Sequence, residues 1–146
     1  MQYYKIPLSA VELFENRTLL KYNRIEESIA DNIRLILTTA FGEYAFDASY
    51  GCSLWDGDFE NISSDDRWKE KLSISIRKSI EQHEPRLTNV MVNTEIVQDE
   101  VKQQISNREI NRIKRRVDVT VDARIALTDE SFWGRQKLYV SPISLD

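Results

Sequence analysis

Cysteine, histidine, glycine and proline are all scarce in this chain of 146 residues, which has 1 cysteine, 1 histidine, 4 glycines and 3 prolines. A single cysteine cannot form an internal disulfide, and one histidine with one cysteine cannot build an ordinary zinc site. So few glycines also argue against the glycine-rich loops that bind dinucleotides or triphosphates. The composition therefore predicts a protein that has no metal centre and no cofactor.

Long apolar runs and an excess of basic charge are missing as well. Apolar runs such as Val90–Val92 are far shorter than the roughly 20 residues that span a bilayer, and the start lacks the pattern of a signal peptide. Acidic residues outnumber basic ones by 24 to 20, which disfavours a general binder of the nucleic acid backbone. With Cys52 unpaired, we expect a cytoplasmic protein that neither inserts into membranes nor binds nucleic acid.

What the chain does contain is enough apolar material for one domain. Apolar residues make up 41% and charged residues 30% of the sequence, and the length is that of an ordinary domain. We predict one domain over residues 1–146, with an N-terminal segment over 1–22, a helical part over 24–83 and a sheet part over 88–145.

Two stretches have the three- and four-residue apolar spacing of an amphipathic helix. The first covers residues 24–41, and Gly42 is expected to cap it. The second covers 64–83 and stops before Pro85, because the residue before a proline disfavours helical backbone. The apolar positions concerned are Ile25, Ile29, Ile33, Ile36, Leu37, Trp68, Leu72, Ile76 and Ile80. Residues 1–22 are expected to add one short helix.

After Pro85 the apolar spacing changes to two, which is typical of strands. The predicted strands cover residues 90–97, 116–127 and 137–145, the third being broken or ended by Pro142. The charged stretch 99–114 is interpreted as a short helix or an ordered excursion, and 45–58 as a compact loop or small hairpin. Because helices come first, the prediction is an α+β fold, with an antiparallel sheet of about three strands and two main helices packed on one face.

Few residues offer chemistry. His83 has no Ser or Cys close in sequence to activate, and Cys52 has no basic neighbour, so both are expected to be structural. Glu43 and Asp47 could form the carboxylate pair of a peptidoglycan hydrolase. Their use as hydrogen-bond acceptors that fix a loop is favoured, and we expect no enzyme activity.

Two charged segments suggest contacts with other molecules. A basic cluster could bind phosphate, form a solvated face or dock on acidic residues of a partner; it comprises Arg108, Arg112, Lys114, Arg115 and Arg116. Trp55 and Phe59 lie in an acidic segment and either cover the core or form an interface. We therefore treat Trp55, Phe59, Arg112 and Arg115 as possible interface residues.

Three stretches together carry a family resemblance. They are ILTTAFGE over residues 36–43, DASYGCSLWD over 47–56, and EPRL over 84–87 leading into a strand. Together they resemble the small baseplate wedge subunit of contractile injection machines. This family includes TssE of type VI secretion systems and a phage tail baseplate protein once labelled lysozyme-like.

The resemblance implies a structural role. It implies that Glu84, Pro85 and Arg86 dock on the helical core bundle of TssF/TssG-like wedge subunits. It also implies that the sheet receives strands from TssB/TssC-like sheath subunits and that there is no small-molecule substrate. A three-stranded sheet leaves exposed edges, and Pro142 and the charged Lys137 are expected to guard one of them until the sheath arrives. The equivalent baseplate protein of a phage tail or an extracellular injection device is the alternative.

The residues of this corner allow two interpretations. Pro85 fixes the backbone direction, so Glu84 and Arg86 could be held outward, with the guanidinium bonding a partner carboxylate or helix-terminal carbonyls. The other interpretation is an internal Glu84–Arg86 pair that stiffens the corner.

Overall fold

Helices precede the main sheet along the chain. The computed structural model describes residues 3–4, 21–22, 24–55 and 66–140. In chain order the elements are β1 (Tyr3–Tyr4), β2 (Lys21–Tyr22), α1 (Ile25–Thr38), a 3-10 helix (Ser53–Trp55), α2 (Asp66–His83), β3 (Leu87–Ile105), β4 (Arg108–Ile125) and β5 (Ser131–Val140). The predicted α+β class is confirmed. β1 and β2 pair antiparallel, and the short helix expected within 1–22 lies outside the described residues.

Helix α1 ends three residues earlier than the apolar spacing predicts. The hydroxyl of Thr38 donates to the carbonyl of Arg34 over 2.8 Å, and that of Thr39 to the carbonyl of Leu35 over 2.6 Å. These bonds satisfy carbonyls of the last turn, and Thr39 already has extended backbone. Gly42 is therefore not the helix cap; it has a φ of 81° in the turn that follows.

Helix α2 agrees with the prediction over its described length. It ends at His83, as expected from Pro85, while residues 64 and 65 lie outside the described part of the chain. Leu72, Ile76 and Ile80 are buried along one side of the helix. This side packs against β3 and so fixes the direction in which the chain enters the corner at Pro85.

The main sheet has the order β3-β4-β5 and is antiparallel throughout. β3 and β4 form one long hairpin whose two-residue turn is Ser106-Asn107, with φ values of 48° and 66°. Positive φ at both central residues matches the twist of the flanking strands, which is why such turns close tight hairpins.

Two of the expected strand boundaries are corrected by this arrangement. Residues 99–114 are not helical, since they form the far half of the β3–β4 hairpin. Their charges obscured the alternation, and Ser-Asn is a weaker turn signal than Asn-Gly. The third strand runs from Ser131 to Val140 rather than from 137 to 145, and Pro142 lies outside the described residues.

The core lies between the two helices and one face of the sheet. β4 supplies every second residue from Val117 to Ile125 to this face, as its two-residue period requires. The other buried apolar residues of the cluster are Ile29, Ile33, Leu37, Cys52, Leu54, Leu72, Ile76, Ile80, Leu87, Val90, Phe132, Leu138 and Val140. The predicted packing of two helices on one sheet face is thus confirmed. The two helices do not cover the opposite face of the sheet.

Candidate docking corner

The corner of interest joins α2 to β3. The N–H of Glu84 still donates to the carbonyl of Ile80 over 2.8 Å, so the helical bonding continues to the residue before the proline. Pro85 has no N–H to continue the helix, and Pro85 and Arg86 form a turn that leads into β3 at Leu87. The N–H of Leu87 closes this turn on the carbonyl of Glu84 over 3.2 Å.

Glu84 and Arg86 form a two-pronged ion pair inside this corner. Nε of Arg86 donates to Oε1 of Glu84 and Nη2 donates to Oε2, each over 2.7 Å. The side chain of Glu84 is 1% exposed and that of Arg86 is 27% exposed. Two parallel charge-assisted bonds fix the plane of the guanidinium as well as its position.

Helix α1 supplies a second set of contacts to the same pair. Nδ2 of Asn32 donates to Oε2 of Glu84 over 2.8 Å and to the carbonyl of His83 over 3.2 Å. Nη1 of Arg86 donates to the hydroxyl of Ser28 over 2.8 Å. Ser28 and Asn32 are four residues apart and so lie on one side of α1, facing the corner.

The loop after α1 is tied to the corner through Tyr50. Its hydroxyl donates to Oδ1 of Asn32 over 3.0 Å, and its ring packs edge-on against His83 with 5.0 Å between the centroids. Burial raises the pKa of Tyr50, and the negative charge of Glu84 adds to this shift. The phenol therefore stays a hydrogen-bond donor at neutral pH.

The structure corrects the expected orientation of Glu84 at this corner. Glu84 is not held outward, because its carboxyl group is buried and paired internally with Arg86. Pro85 is exposed and Arg86 is partly exposed, so the surface of the corner belongs to these two residues. The sequence analysis did not predict the contacts of Ser28, Asn32 and Tyr50 with this corner. The available signal for Ser28 and Asn32 was their spacing of four residues on a predicted helix.

Glu43 and Asp47 are used by their own loop. Oε2 of Glu43 accepts a bond from the N–H of Ala40 over 2.8 Å. Oδ1 of Asp47 accepts bonds from the N–H and the hydroxyl of Ser49, over 2.9 and 2.6 Å. These bonds from Ser49 lower the pKa of Asp47. The favoured prediction that both carboxyl groups fix the loop is confirmed.

His83 and Cys52 are also held in structural contacts. Nε2 of His83 lies 3.1 Å from the carbonyl of Ser49, so the ring joins the end of α2 to the loop. The thiol of Cys52 is fully buried in the core and donates to the carbonyl of Leu37 over 3.4 Å. The prediction that Cys52 is a packing residue is confirmed.

Of the remaining predicted interface residues, the structure describes the side chains of Trp55 and Arg115. Trp55 is partly buried against the core, and its indole N–H donates to the carbonyl of Leu37 over 2.7 Å. These contacts agree with the expected alternative that Trp55 covers the core. Phe59 and the side chain of Arg112 lie outside the described part of the chain. Arg115 is partly exposed on β4. An interface role for these four residues stays a prediction.

The described residues contain neither a metal-binding cluster nor a membrane-spanning helix. No group of three or more His, Cys, Asp or Glu side chains in that part of the chain is arranged to hold a metal ion. No helix in the same part is long and apolar enough to cross a membrane.

Residues 23–130 match the family described as Baseplate wedge protein gp25. The chain therefore belongs to this family, as the resemblance of residues 36–43, 47–56 and 84–87 predicts. Membership makes it a structural component of a contractile tail baseplate that interacts with other baseplate and tail components.

The fold is also found in a crystal structure from Geobacter sulfurreducens that carries the provisional description of a tail lysozyme. The two chains superpose with a TM-score of 0.57 at 20% identity, over 84% of this chain and 97% of that one. At this identity the likeness shows the shared fold alone. No curated protein matches the chain at a significant level.

Proposed function

We propose that this chain is the TssE-like wedge subunit of a type VI secretion baseplate, and that it docks on TssF/TssG-like wedge subunits through Arg86. The observation that carries this proposal is the guanidinium of Arg86, which is held at an exposed proline turn by a buried carboxyl group. A cation fixed in advance loses little side-chain entropy when it binds a partner.

The three residues of the corner have different roles in this proposal. Arg86 is the contact residue, since 27% of its side chain faces solvent. Glu84 is a positioning residue, because its two oxygens orient the guanidinium and it has no exposed surface of its own. Pro85 sets the turn and adds an exposed ring beside Arg86. Helix-terminal carbonyls or a carboxylate of the core bundle are suitable acceptors.

The sheet is the second contact in the proposal. TssB/TssC-like sheath subunits would add a strand to it, and so begin sheath assembly on the baseplate. Edge strands carry unpaired N–H and C=O groups that another chain can pair with. The chain performs no reaction in this role, which is supported by the use of Glu43 and Asp47 within their own loop.

Co-purification with the wedge subunits tests the docking role of Arg86. Arg86→Ala is expected to reduce recovery of the wedge subunits at least about tenfold, a loss that corresponds to one charge-assisted contact. Arg77→Ala on α2 is the matched control, because Arg77 is an exposed arginine away from the corner, and it should leave recovery unchanged.

A second variant separates docking from folding. Arg86→Ala leaves Glu84 buried without its guanidinium, whereas the double variant Glu84→Met/Arg86→Met removes both charges and keeps side-chain volume. If the double variant melts near the wild-type temperature and does not recover wedge subunits, docking depends on Arg86. Normal recovery by a folded double variant would show that the corner is a structural brace.

A further inference from the structure

Strand β5 presents a stripe of aromatic and cationic side chains on the sheet face that the helices do not cover. Its even-numbered residues Phe132, Leu138 and Val140 are buried in the core. The alternate positions face outward and form what we term the outer stripe: Trp133, Arg135, Lys137 and Tyr139. Trp133 is 63% exposed and Tyr139 is 52% exposed, so the stripe has an aromatic residue at each end.

One cation of the stripe, Arg135, is held on the sheet by a buried carboxylate. Oδ2 of Asp118 accepts a bond from Nη2 of Arg135 over 2.7 Å, and Oδ1 accepts one from Nε of Arg116 over 2.7 Å. The side chain of Asp118 is 3% exposed, whereas that of Arg135 is 46% exposed. Asp118 thus orients Arg135 while leaving much of its guanidinium at the surface.

Of the two outer strands of the sheet, β5 has the more regular edge. It pairs with β4 from Arg115 to Arg124 without a register shift and with no other strand among the described residues. β3 has a register shift between Thr88 and Met91, and Asn89 has a φ of 51° there. Such irregularities hinder the pairing of a further strand, so β5 is the edge better suited to receive one.

We infer that the edge of β5 receives an extended, acidic segment of a partner protein. Side chains on neighbouring antiparallel strands lie about 4.5–5.5 Å apart and alternate with a period of two. Carboxylates of the incoming strand would therefore lie beside Arg135 and Lys137, with apolar side chains beside Trp133 and Tyr139. The inference rests on the proposed strand addition and names the edge and the chemistry of the incoming strand.

The surrounding charges favour a peptide over a single-stranded nucleic acid. Aromatic and basic residues can also bind single-stranded nucleic acid by stacking on its bases. On this sheet, however, Asp122 is exposed directly opposite Trp133, and Glu95 lies opposite Asp118. Phosphates lying over the sheet would meet these carboxylates. A strand added beyond β5 would lie roughly 10 Å from β4, two strand spacings away, and so largely avoid them.

The same charges select against self-association. Two copies of this chain that paired through β5 would bring cations close to cations, because Arg135 and Lys137 are separated by one residue on the same face. A positively charged edge thus discourages pairing between copies and favours an acidic partner. This agrees with the expectation that Lys137 guards an edge until the partner arrives.

Two capped ten-residue peptides serve as probes. In the glutamate peptide, four alternate positions carry valine, glutamate, glutamate and valine, the order that places carboxylates beside Arg135 and Lys137 and apolar side chains beside Trp133 and Tyr139, and threonine occupies the other positions. The lysine peptide has lysine in place of glutamate. Binding to the full-length chain is measured by fluorescence anisotropy. The glutamate peptide is expected to bind wild type at least about tenfold more tightly than Arg135→Glu/Lys137→Glu, and the lysine peptide to show the reverse order. Lys71→Glu/Lys78→Glu, with the same charge change on exposed positions of α2, should bind like wild type.

Lys137→Glu alone is the second variant, because Arg135 also bonds Asp118 and its reversal could disturb the sheet. Lys137→Glu should weaken binding of the glutamate peptide less than the double variant does. Equal binding of both peptides by wild type, or no binding of either, would overturn the inference. Stripe-dependent binding of a ten-nucleotide thymidine strand in place of the glutamate peptide, or a stripe-dependent dimer in sedimentation, would overturn it as well.

Co-purification separates this inference from the proposed function. If Arg135→Glu/Lys137→Glu no longer recovers sheath subunits but still recovers wedge subunits, the result supports both the proposed function and the inference about β5. If wild type recovers no wedge or sheath subunits and yet binds the glutamate peptide through the stripe, the type VI assignment is wrong and the edge chemistry stands. If wild type and Arg135→Glu/Lys137→Glu recover sheath subunits equally, the outer stripe is not the site at which sheath subunits bind.

Discussion

Glu84 connects the turn of the corner to α1. Its carboxyl group accepts bonds from Arg86 at the turn and from Asn32 on α1, and it is buried. A buried carboxyl group without partners is strongly unfavourable, so each of these bonds depends on the others. At the scale of single residues, the exposed arginine proposed for docking is thus positioned by a residue that no partner can reach.

Glu84→Gln is expected to lower the free energy of unfolding by about 2–4 kcal/mol, since it leaves a partly buried guanidinium without its charged partner. Glu81→Gln is the control: Glu81 is half exposed and lies 4.0 Å from Arg77, a surface pair worth about 0–0.5 kcal/mol. Chemical denaturation of both variants gives the comparison. Equal losses would mean that the buried pair adds nothing beyond a surface contact.

At the scale of elements, the loop between α1 and the 3-10 helix is held close to the end of α1 by backbone contacts of Gly51 and Cys52 with Thr39. Gly51 has a φ of 126°, a region that L side chains rarely adopt, and the hydroxyl of Ser79 on α2 donates to its carbonyl. A Cβ at Gly51 would lie 2.5 Å from the carbonyl oxygen of Thr39. This close approach lets the N–H of Cys52 bond the same oxygen over 3.0 Å.

Gly51→Ala and Gly42→Ala separate backbone strain from steric overlap. Gly42 has a φ of 81° with open space around its Cβ position, so its replacement should cost about 1–2 kcal/mol from backbone strain. Gly51→Ala should cost clearly more, because backbone atoms of Thr39 and Ala40 must move. Thermal melting of the two variants measures the difference, and an equal or smaller loss for Gly51→Ala would contradict the described contact.

At the scale of the whole molecule, unfolding is coupled to protonation of Asp118, which joins β4 to β5. Burial by itself would raise the pKa of Asp118, but the bonds and charges of Arg116 and Arg135 outweigh this and hold the pKa below its usual value of 3.8. A carboxyl group with a lowered pKa in the folded state stabilises the protein above its unfolded-state pKa. This stabilisation is lost as the pH falls through the folded-state pKa.

Asp118→Asn should therefore lower the free energy of unfolding by about 1.5–3 kcal/mol near neutral pH. The difference from wild type should narrow as the pH falls from about 5 to about 2. Melting temperatures across this range provide the measurement, with Asp122→Asn as an exposed control on the same strand, expected to change stability little. A difference that stays constant or widens in acid would show that the charge of Asp118 is not what stabilises the sheet.

Local patterns predicted the two helices, the order of elements and the family, because these depend on residues that are close in sequence. The spacing of Leu72, Ile76 and Ile80 requires a helix, and the stop before Pro85 follows from the steric effect of the ring. The far half of the hairpin was not predicted, since its pairing depends on a two-residue turn at Ser106-Asn107 whose signal is weak. The start of β5 was missed as well, because exposed Trp133 obscured the alternation.

The sequence by itself determined that the corner contains Glu84, Pro85 and Arg86, and that it joins a helix to a strand. The tertiary structure decided that Glu84 faces inward, because the polar side chains that bond it or its partner come from α1, 52 to 58 residues away along the chain. It also decided that the face of β5 carrying Arg135 and Lys137 is the one that the helices leave uncovered. Such contacts depend on which elements pack together, and no local pattern in the chain specifies that.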